Sequence, residues 1–426
     1  MGELPFWVLV LQAVVIFAYY LLLTALLIWV ERRVVARMQS RVGPNRVGPF
    51  GVLQTLVDGA KMFFKEDVTP AMVNKPIYNI APIIAVVSGF LTIAVVPIGG
   101  QVTLFGETFT LVVSDLSVGA LWILAMASLH VYAVFLAGWA STSPYPLMGG
   151  IRSSAQMVSY EIAQGLAVAS VFIYTGSLRI SDIVEAQSGP GFIDGVPAWN
   201  AITLLPAFLV FVVGMVAEAG RPPFDLPEAE GELVGGFNTE YSGLRFGMFM
   251  LAEFMSVVTM SAIVVTLFLG GPAGPTFGLP DPFPGLLGVV WFTLKVAAFI
   301  FFFILLRGAL PRYRYDGLMN LGWKILIPVA LVWTMVTAGF VLLEQEQPGL
   351  GVPARLTLAS VAAVILLWLL ATSRRPRDIE DGTDHHDVAP GRTVDGDTTG
   401  ADSDATTGDA PAAAETPDDE SQEVTS

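Results

Sequence analysis

The densest chemistry in the chain lies in residues 218–243, EAGRPPFDLPEAEGELVGGFNTEYSG. Glu218, Asp225, Glu228, Glu230, Glu232 and Glu240 are answered there by one cation, Arg221. Carboxylates crowded into a partly dry site repel one another, so some hold protons to near-neutral pH and can exchange them. Pro222, Pro223 and Pro227 predict an extended run over 221–226. Asp225 and Glu228 have capping-box spacing, so a short helix is expected to begin there, with Asp225, Glu228 and Glu232 near one face. A solvated loop ending in a helix cap would carry the same charges. It would not need Phe224, Leu226, Leu233, Val234 and Phe237, which stud a segment set closely between two apolar runs.

Other ionisable groups fall inside the apolar runs themselves: Glu161, Glu253, Lys295 and His130. Each costs about 2.5–3.5 kcal/mol at a helix centre in a bilayer, and such residues usually face a bundle interior or a water path. Together they point to a connected proton or ion route, although for His130 alone a satisfied interior histidine is the simpler account. Two further segments mix cations with apolar residues. RGALPRYRYDGLMNLGWK (307–324) sets Arg307, Arg312, Arg314 and Lys324 among Tyr313 and Tyr315, which suits an amphipathic ligand with a polar head and equally suits docking to a partner. Residues 31–80 repeat RVGP at 41–44 and 46–49, where Pro44 and Pro49 forbid a continuous helix. Leu53, Leu56, Val57, Ala60, Phe63 and Phe64 then recur at helical spacing, interrupted by Asp58, Lys61 and Lys65. That pattern predicts an amphipathic helix at the membrane interface, and a plain surface anchor would read the same way.

These residues need a scaffold, and the composition says what kind. The chain is 54% hydrophobic and 14% charged, against roughly 25% charged in soluble domains. Nine apolar runs are long enough to cross a bilayer or nearly so: 6–30, 81–98, 116–138, 155–175, 201–219, 245–270, 285–307, 321–343 and 355–372. The expected fold is therefore all-α, a multispan membrane bundle of about nine helices plus the interfacial helix. The first run is too long for a signal peptide and has no basic flank, so it is expected to be retained. With the N-terminus outside, 19 Lys/Arg fall on the inner side and only Arg179 and Arg355 on the outer, which sets the C-terminus inside. The net charge of −15 belongs to the tail: residues 378–426 hold 15 Asp/Glu and one Arg. That tail lacks large apolar residues and is expected to be disordered. There is no cysteine, which excludes disulfides, cysteine-ligated iron–sulfur clusters and a thiol nucleophile. The domain plan is 1–30 first span, 31–80 inner segment with the amphipathic helix, 81–219 spans two to five, 220–244 acidic inner loop, 245–345 spans six to eight, 346–377 ninth span and 378–426 tail.

Four long strings, all on the inner side, carry a family resemblance. They are ERRVVARMQSRVGPNRVGPFGVLQTLVDGAKMFFKED (31–67), GWASTSPYPLMGGIRSSAQMVSYEIAQGL (138–166), the acidic segment 218–243 and LPRYRYDGLMNLGWK (310–324). Over residues 1 to about 345 the chain resembles the family of NADH-quinone oxidoreductase H subunits, known in mitochondria as NADH dehydrogenase subunit 1. The resemblance implies a membrane subunit of respiratory complex I in the bacterial inner (plasma) membrane. Such a subunit joins the membrane and peripheral arms, borders lipid, forms the membrane-facing part of the quinone chamber and binds no nucleic acid. By position, Arg32, Arg41, Arg46 and Asp58 would lie along the ubiquinone or menaquinone cavity, with Phe224, Arg307 and Arg312 close to it. Glu218, Arg221, Asp225, Glu228, Glu230 and Glu232 would form the carboxylate funnel leading from it, continued by Glu161, Glu253, Glu240 and Lys295. Gly220 stands where the family usually has Asn before the loop arginine, and neither His130 nor the acidic tail is a family hallmark.

The same resemblance implies that no cofactor is held on this chain, with FMN and iron–sulfur clusters on partner subunits and quinone as substrate. Reduction of the quinone would change the charge beside Asp58 and the acidic loop, shift carboxylate protonation, and send the change along Glu161 and Glu253. Two alternatives remain at this level. A related membrane subunit of an energy-converting hydrogenase would share the inner loops without quinone. A stand-alone ion transporter usually shows an internal repeat, and none is visible between the halves of this sequence.

Overall fold

In a computed structural model, the described residues are 6–104, 107–189, 197–225, 234–275, 283–346 and 351–373. They form a helical bundle with one small hairpin. Helix α1 (Phe6–Met38) is followed by a 3-10 turn (Pro49–Gly51), α2 (Gln54–Phe64), α3 (Lys75–Ile93) and an antiparallel hairpin, β1 (Gln101–Leu104) with β2 (Glu107–Thr110). Then come α4 (Gly119–Ala140), α5 (Pro144–Thr175), α6 (Ile180–Gln187), α7 (Asn200–Thr203) and α8 (Leu205–Glu218). A 3-10 turn (Gly236–Asn238) precedes α9 (Gly243–Phe268) and α10 (Phe283–Ala309). Helix α11 (Tyr315–Leu321) runs through a π turn (Gly322–Leu326) into α12 (Ile327–Glu346), and α13 is Val352–Ser373.

Seven of these helices are long and apolar enough to cross a membrane, among the described residues, and α8 and the described part of α13 are shorter apolar helices. Each of the nine expected runs is thus met by a helix, but the ends differ where local chemistry decides them. Helix α1 continues eight residues past the apolar run, because ERRVVARM keeps a helical backbone while its arginines reach polar surroundings. Pro144 and Pro76 occupy first-turn positions of α5 and α3, where a missing N–H is harmless, so both helices start earlier than hydropathy implies. The fifth run breaks at Leu204, just before Pro206, into α7 and the 14-residue α8. The hairpin and α6 were outside the sequence expectation, their runs being too short and polar to register.

The core is built on α5, which packs against α4, α8 and α12, while α9 packs against α1, α3 and α10. Helices α4 and α5 cross at close range: a Cβ on Gly138 would meet the Pro146 carbonyl oxygen at 2.5 Å, and one on Gly150 would meet the Gly138 Cα at 3.2 Å. Small residues at such a crossing let backbones approach, the usual source of helix association where lipid removes the hydrophobic drive. On α1, buried Tyr20 donates to the Met255 carbonyl (2.9 Å) and hydrogen-bonds Thr259, which fixes α1 on α9. The bundle's outward faces carry exposed Phe6, Val14, Leu22 and Met335, as a bilayer or partner subunits require.

Candidate functional site

The site begins at the end of α8. Its last residue, Glu218, is buried, and the chain then turns: the Phe224 N–H donates to the Arg221 carbonyl (2.9 Å). Residues 221–224 therefore form a turn, which corrects the extended run expected from the prolines. The fixed proline φ suits a turn as well as a strand, and burial of Phe224 decides between them. Its ring lies between Tyr160 (5.6 Å) and Tyr313 (5.7 Å). Gln156 on α5 pins both ends of this connection, its Nε2 donating to the carbonyls of Ala217 and Phe224 at 2.8 Å. The Tyr313 N–H closes the other side on the Pro223 carbonyl (2.9 Å).

This turn aims Arg221 into the bundle. Its residue surface is 6% exposed, and its guanidinium meets Glu253 of α9 (3.2 Å), Glu31 of α1 (3.5 Å) and the face of Phe254 (4.4 Å). Glu31, also 6% exposed, is paired in addition with Arg307 at the end of α10. Four segments of the bundle thus place two cations and two anions in one network, with Arg221 and Glu31 buried, Glu253 half-buried and Arg307 reaching the surface. Burying charge costs several kcal/mol per ion unless it is paired, so each member requires the others.

Glu31 also lines a cavity of about 330 Å³ with Arg32, Arg41, Gly43 and Arg307, at the C-terminal end of α1. Beside it Arg32 pairs with Asp58 of α2, which also accepts from Gln54 (2.9 Å) and lies 3.7 Å from Lys61. Burial pushes the Asp58 carboxyl up, but Arg32, Gln54 and Lys61 together outweigh it and hold it below the usual carboxylate range. On the opposite side of Arg221, Glu253 and Glu218 line a cavity of about 40 Å³ with His130 and Ser256. A second, of about 30 Å³, is lined by Glu218, His130, Ser256 and Ser88. Glu161 sits one helix away, bonded to Ser128, within electrostatic range of Glu218.

The structure therefore brings together Arg32, Arg41, Asp58 and Arg307 on one side, and Glu161, Glu218, Arg221 and Glu253 on the other. Several expected site residues are placed apart. Arg46 is exposed in the loop after α1. Phe224 is buried in its aromatic stack, and Arg312 pairs with Asp225 (2.8 Å) at the surface end of the same turn. Glu240 is half-buried, its carbonyl accepting from Tyr78 (2.7 Å). Lys295 donates to the carbonyls of Leu269, Gly271 and Ala273 at 2.8–2.9 Å, beyond the far end of α9. Leu269 is 16 residues along the chain from Glu253, about 24 Å of helix. Glu228, Glu230 and Glu232, and the helix expected to begin at Asp225, lie outside the described residues. Sequence reasoning missed Glu31, Gln156 and Ser128. The signal for Glu31 was present, a carboxylate ahead of two arginines at the end of an apolar run, but its neighbours read as ordinary inner-side cations.

A bundle of long apolar helices that holds an arginine-bridged carboxylate network, set between one larger cavity and two small ones, is the class defined by this fold and site. Residues 11–338 match the NADH dehydrogenase family, and the chain belongs to that family. It is 52% identical over 352 residues to a Frankia alni protein named as the H subunit of NADH-quinone oxidoreductase, covering 81% of this chain and 75% of that one. A Frankia casuarinae protein of the same name is 53% identical over 343 residues, 79% of this chain and 73% of the relative. These matches favour neither the hydrogenase nor the transporter alternative.

Proposed function

We propose that this chain is the membrane subunit of a proton-translocating NADH:quinone oxidoreductase, forming the membrane-facing wall of its quinone chamber and coupling quinone reduction to proton movement. The observation that carries the reading is one unbroken ionic chain. Arg307 and Glu31 border the 330 Å³ cavity, Glu31 is bridged by Arg221, and Arg221 also holds Glu253, which borders an internal cavity with Glu218. In a low-dielectric interior, charge changes act strongly over such distances. A quinone taking up electrons near Arg32, Arg41 and Arg307 would loosen or tighten Glu31 on its arginines. Arg221 would redistribute between Glu31 and Glu253, and Glu253 would change its hold on a proton. Asp58 keeps Arg32 in place at the interfacial helix.

Family membership supports the rest of the reading. Electrons arrive from FMN and iron–sulfur clusters on partner subunits of the peripheral arm, quinone is substrate, and this chain holds no redox centre. The protein lies in the bacterial plasma membrane with its N-terminus outside and C-terminus inside, among other membrane-arm subunits and lipid. The test is Glu253→Gln in the intact complex in sealed membrane vesicles. NADH oxidation by a water-soluble acceptor should persist, while inhibitor-sensitive NADH:quinone activity falls at least about tenfold. Unchanged quinone activity, or ion movement by the isolated chain without NADH or quinone, would overturn the reading.

A further inference from the structure

His130 is the residue the site has not absorbed. It lies midway along α4, two positions after Ser128, which puts it on a different side of the helix from the contact with Glu161. Its Nδ1 is 3.4 Å from the Ser88 hydroxyl of α3. It lines both internal cavities, and so do Glu218 and Ser256; Glu253 lines the first and Ser88 the second. At about 40 and 30 Å³, each exceeds the roughly 10–15 Å³ a buried water needs. Their walls are also polar enough to hold one. Glu218 Oε2 is buried with the Gln164 amide as its nearest donor, a contact too poorly aligned to satisfy either group, since Gln164 Nε2 is itself buried without a well-formed partner. A buried carboxylate oxygen without a well-aligned donor costs about 1–3 kcal/mol or more, which a water at this spot would recover.

We propose that the two cavities hold water and that His130 passes protons between them, as a relay branching from Glu218 and Glu253 toward α3. An imidazole suits this task because it can take a proton at one ring nitrogen and release one from the other. The groups facing it are Ser88 and the Ala85 carbonyl on α3, Glu218 at the end of α8, and Glu253 and Ser256 on α9; Gln164 and Glu161 on α5 and Arg221 stand behind the two carboxylates. The step is a proton transfer alone: Glu218 loses a proton to water, His130 gains one, and no electrons move. Ser128, which hydrogen-bonds Glu161, can hold a proton path together but cannot itself store a charge. His130, on another side of the same helix, supplies that capacity.

The inference rests on the coupling role proposed above, so the experiment reads two quantities in the intact complex in sealed vesicles: quinone reduction and protons moved per NADH. His130→Gln keeps polarity and size but cannot carry a proton charge. It is expected to leave the complex assembled and to reduce protons moved per NADH by about half or more, while His130→Glu restores them. A structural histidine would show the reverse order, with Gln tolerated and Glu harmful. Equal proton yield in wild type and His130→Gln overturns the relay and leaves the coupling role standing. Absence of inhibitor-sensitive quinone reduction in the wild-type complex overturns the coupling role itself. Should the variants fail to assemble, a map of the wild-type complex sharp enough to resolve water decides: ordered water within hydrogen-bond reach of Glu218 and His130 supports the relay, and dry cavities overturn it.

Discussion

Arg221 is the residue on which the ionic network turns. It neutralises Glu31 and Glu253 at once, and its guanidinium lies against Phe254. Arg221→Gln would leave Glu253 in the bundle and Glu31 with Arg307 alone. Removing one partner of a buried ion pair typically costs about 3–5 kcal/mol, so the expected result is a clear loss of assembled complex. Arg221→Lys should assemble but couple poorly, because one ammonium cannot fork between two carboxylates; the check is complex yield against protons moved per NADH. Asp58 supplies the pH prediction. Its folded-state pKa is lowered, so its contribution is full above the ordinary carboxylate range and is lost as pH falls through the lowered value. Acidification to well below the ordinary carboxylate range should therefore release Arg32 and raise amide exchange across α2, and Asp58→Asn should do the same at neutral pH.

At the scale of elements, the junction of α1 and α2 is fixed by a clasp on one carbonyl. The Phe50 oxygen accepts from the Trp29 indole (3.1 Å) and from Arg33 (2.9 Å), while Arg33 lies over both rings, at 5.3 and 5.7 Å. Phe50 has φ 55°, the left-handed region that L-residues enter at a cost of about 1–2 kcal/mol. Phe50→Gly should keep the turn and lose the stacked ring. Phe50→Val should lose both and raise amide exchange in α2 well above the glycine variant. At the other end of the bundle, Lys295 fastens the end of α9 and the following turn to α10 by its three carbonyl bonds. All three ammonium donors are used there. Lys295→Met would strand these acceptors at about 1–3 kcal/mol each. Faster exchange in residues 262–269 with normal protons moved per NADH is the expected outcome, and a lowered proton yield with normal exchange would return Lys295 to the proton route.

At the scale of the molecule, the described residues form a bundle of long apolar helices with many large apolar side chains exposed. Orientation can be checked directly because the sequence has no native cysteine. Arg179→Cys precedes α6 and Arg314→Cys precedes α11. A membrane-impermeant maleimide added to intact cells should label the first and spare the second, and lysis should expose the second.

Hydropathy and Lys/Arg placement are properties of short stretches of chain, and a bilayer sorts them without reference to distant residues. For that reason the helical bundle, the long apolar runs and the amphipathic helix over Gln54–Phe64 were legible in the sequence. The strings around Arg41, Glu161, Arg221 and Tyr313 carried the family. Partnership was not legible, because a carboxylate's partner is chosen by how helices cross. Tertiary packing alone set Arg221 between Glu31 and Glu253, residues 190 and 32 positions away. It also sent Lys295 to the carbonyls beyond α9, turned the proline segment to bury Phe224, and opened water-sized spaces beside His130. Each depends on groups far apart in the chain meeting once the helices have packed, where buried charge and polar atoms need partners.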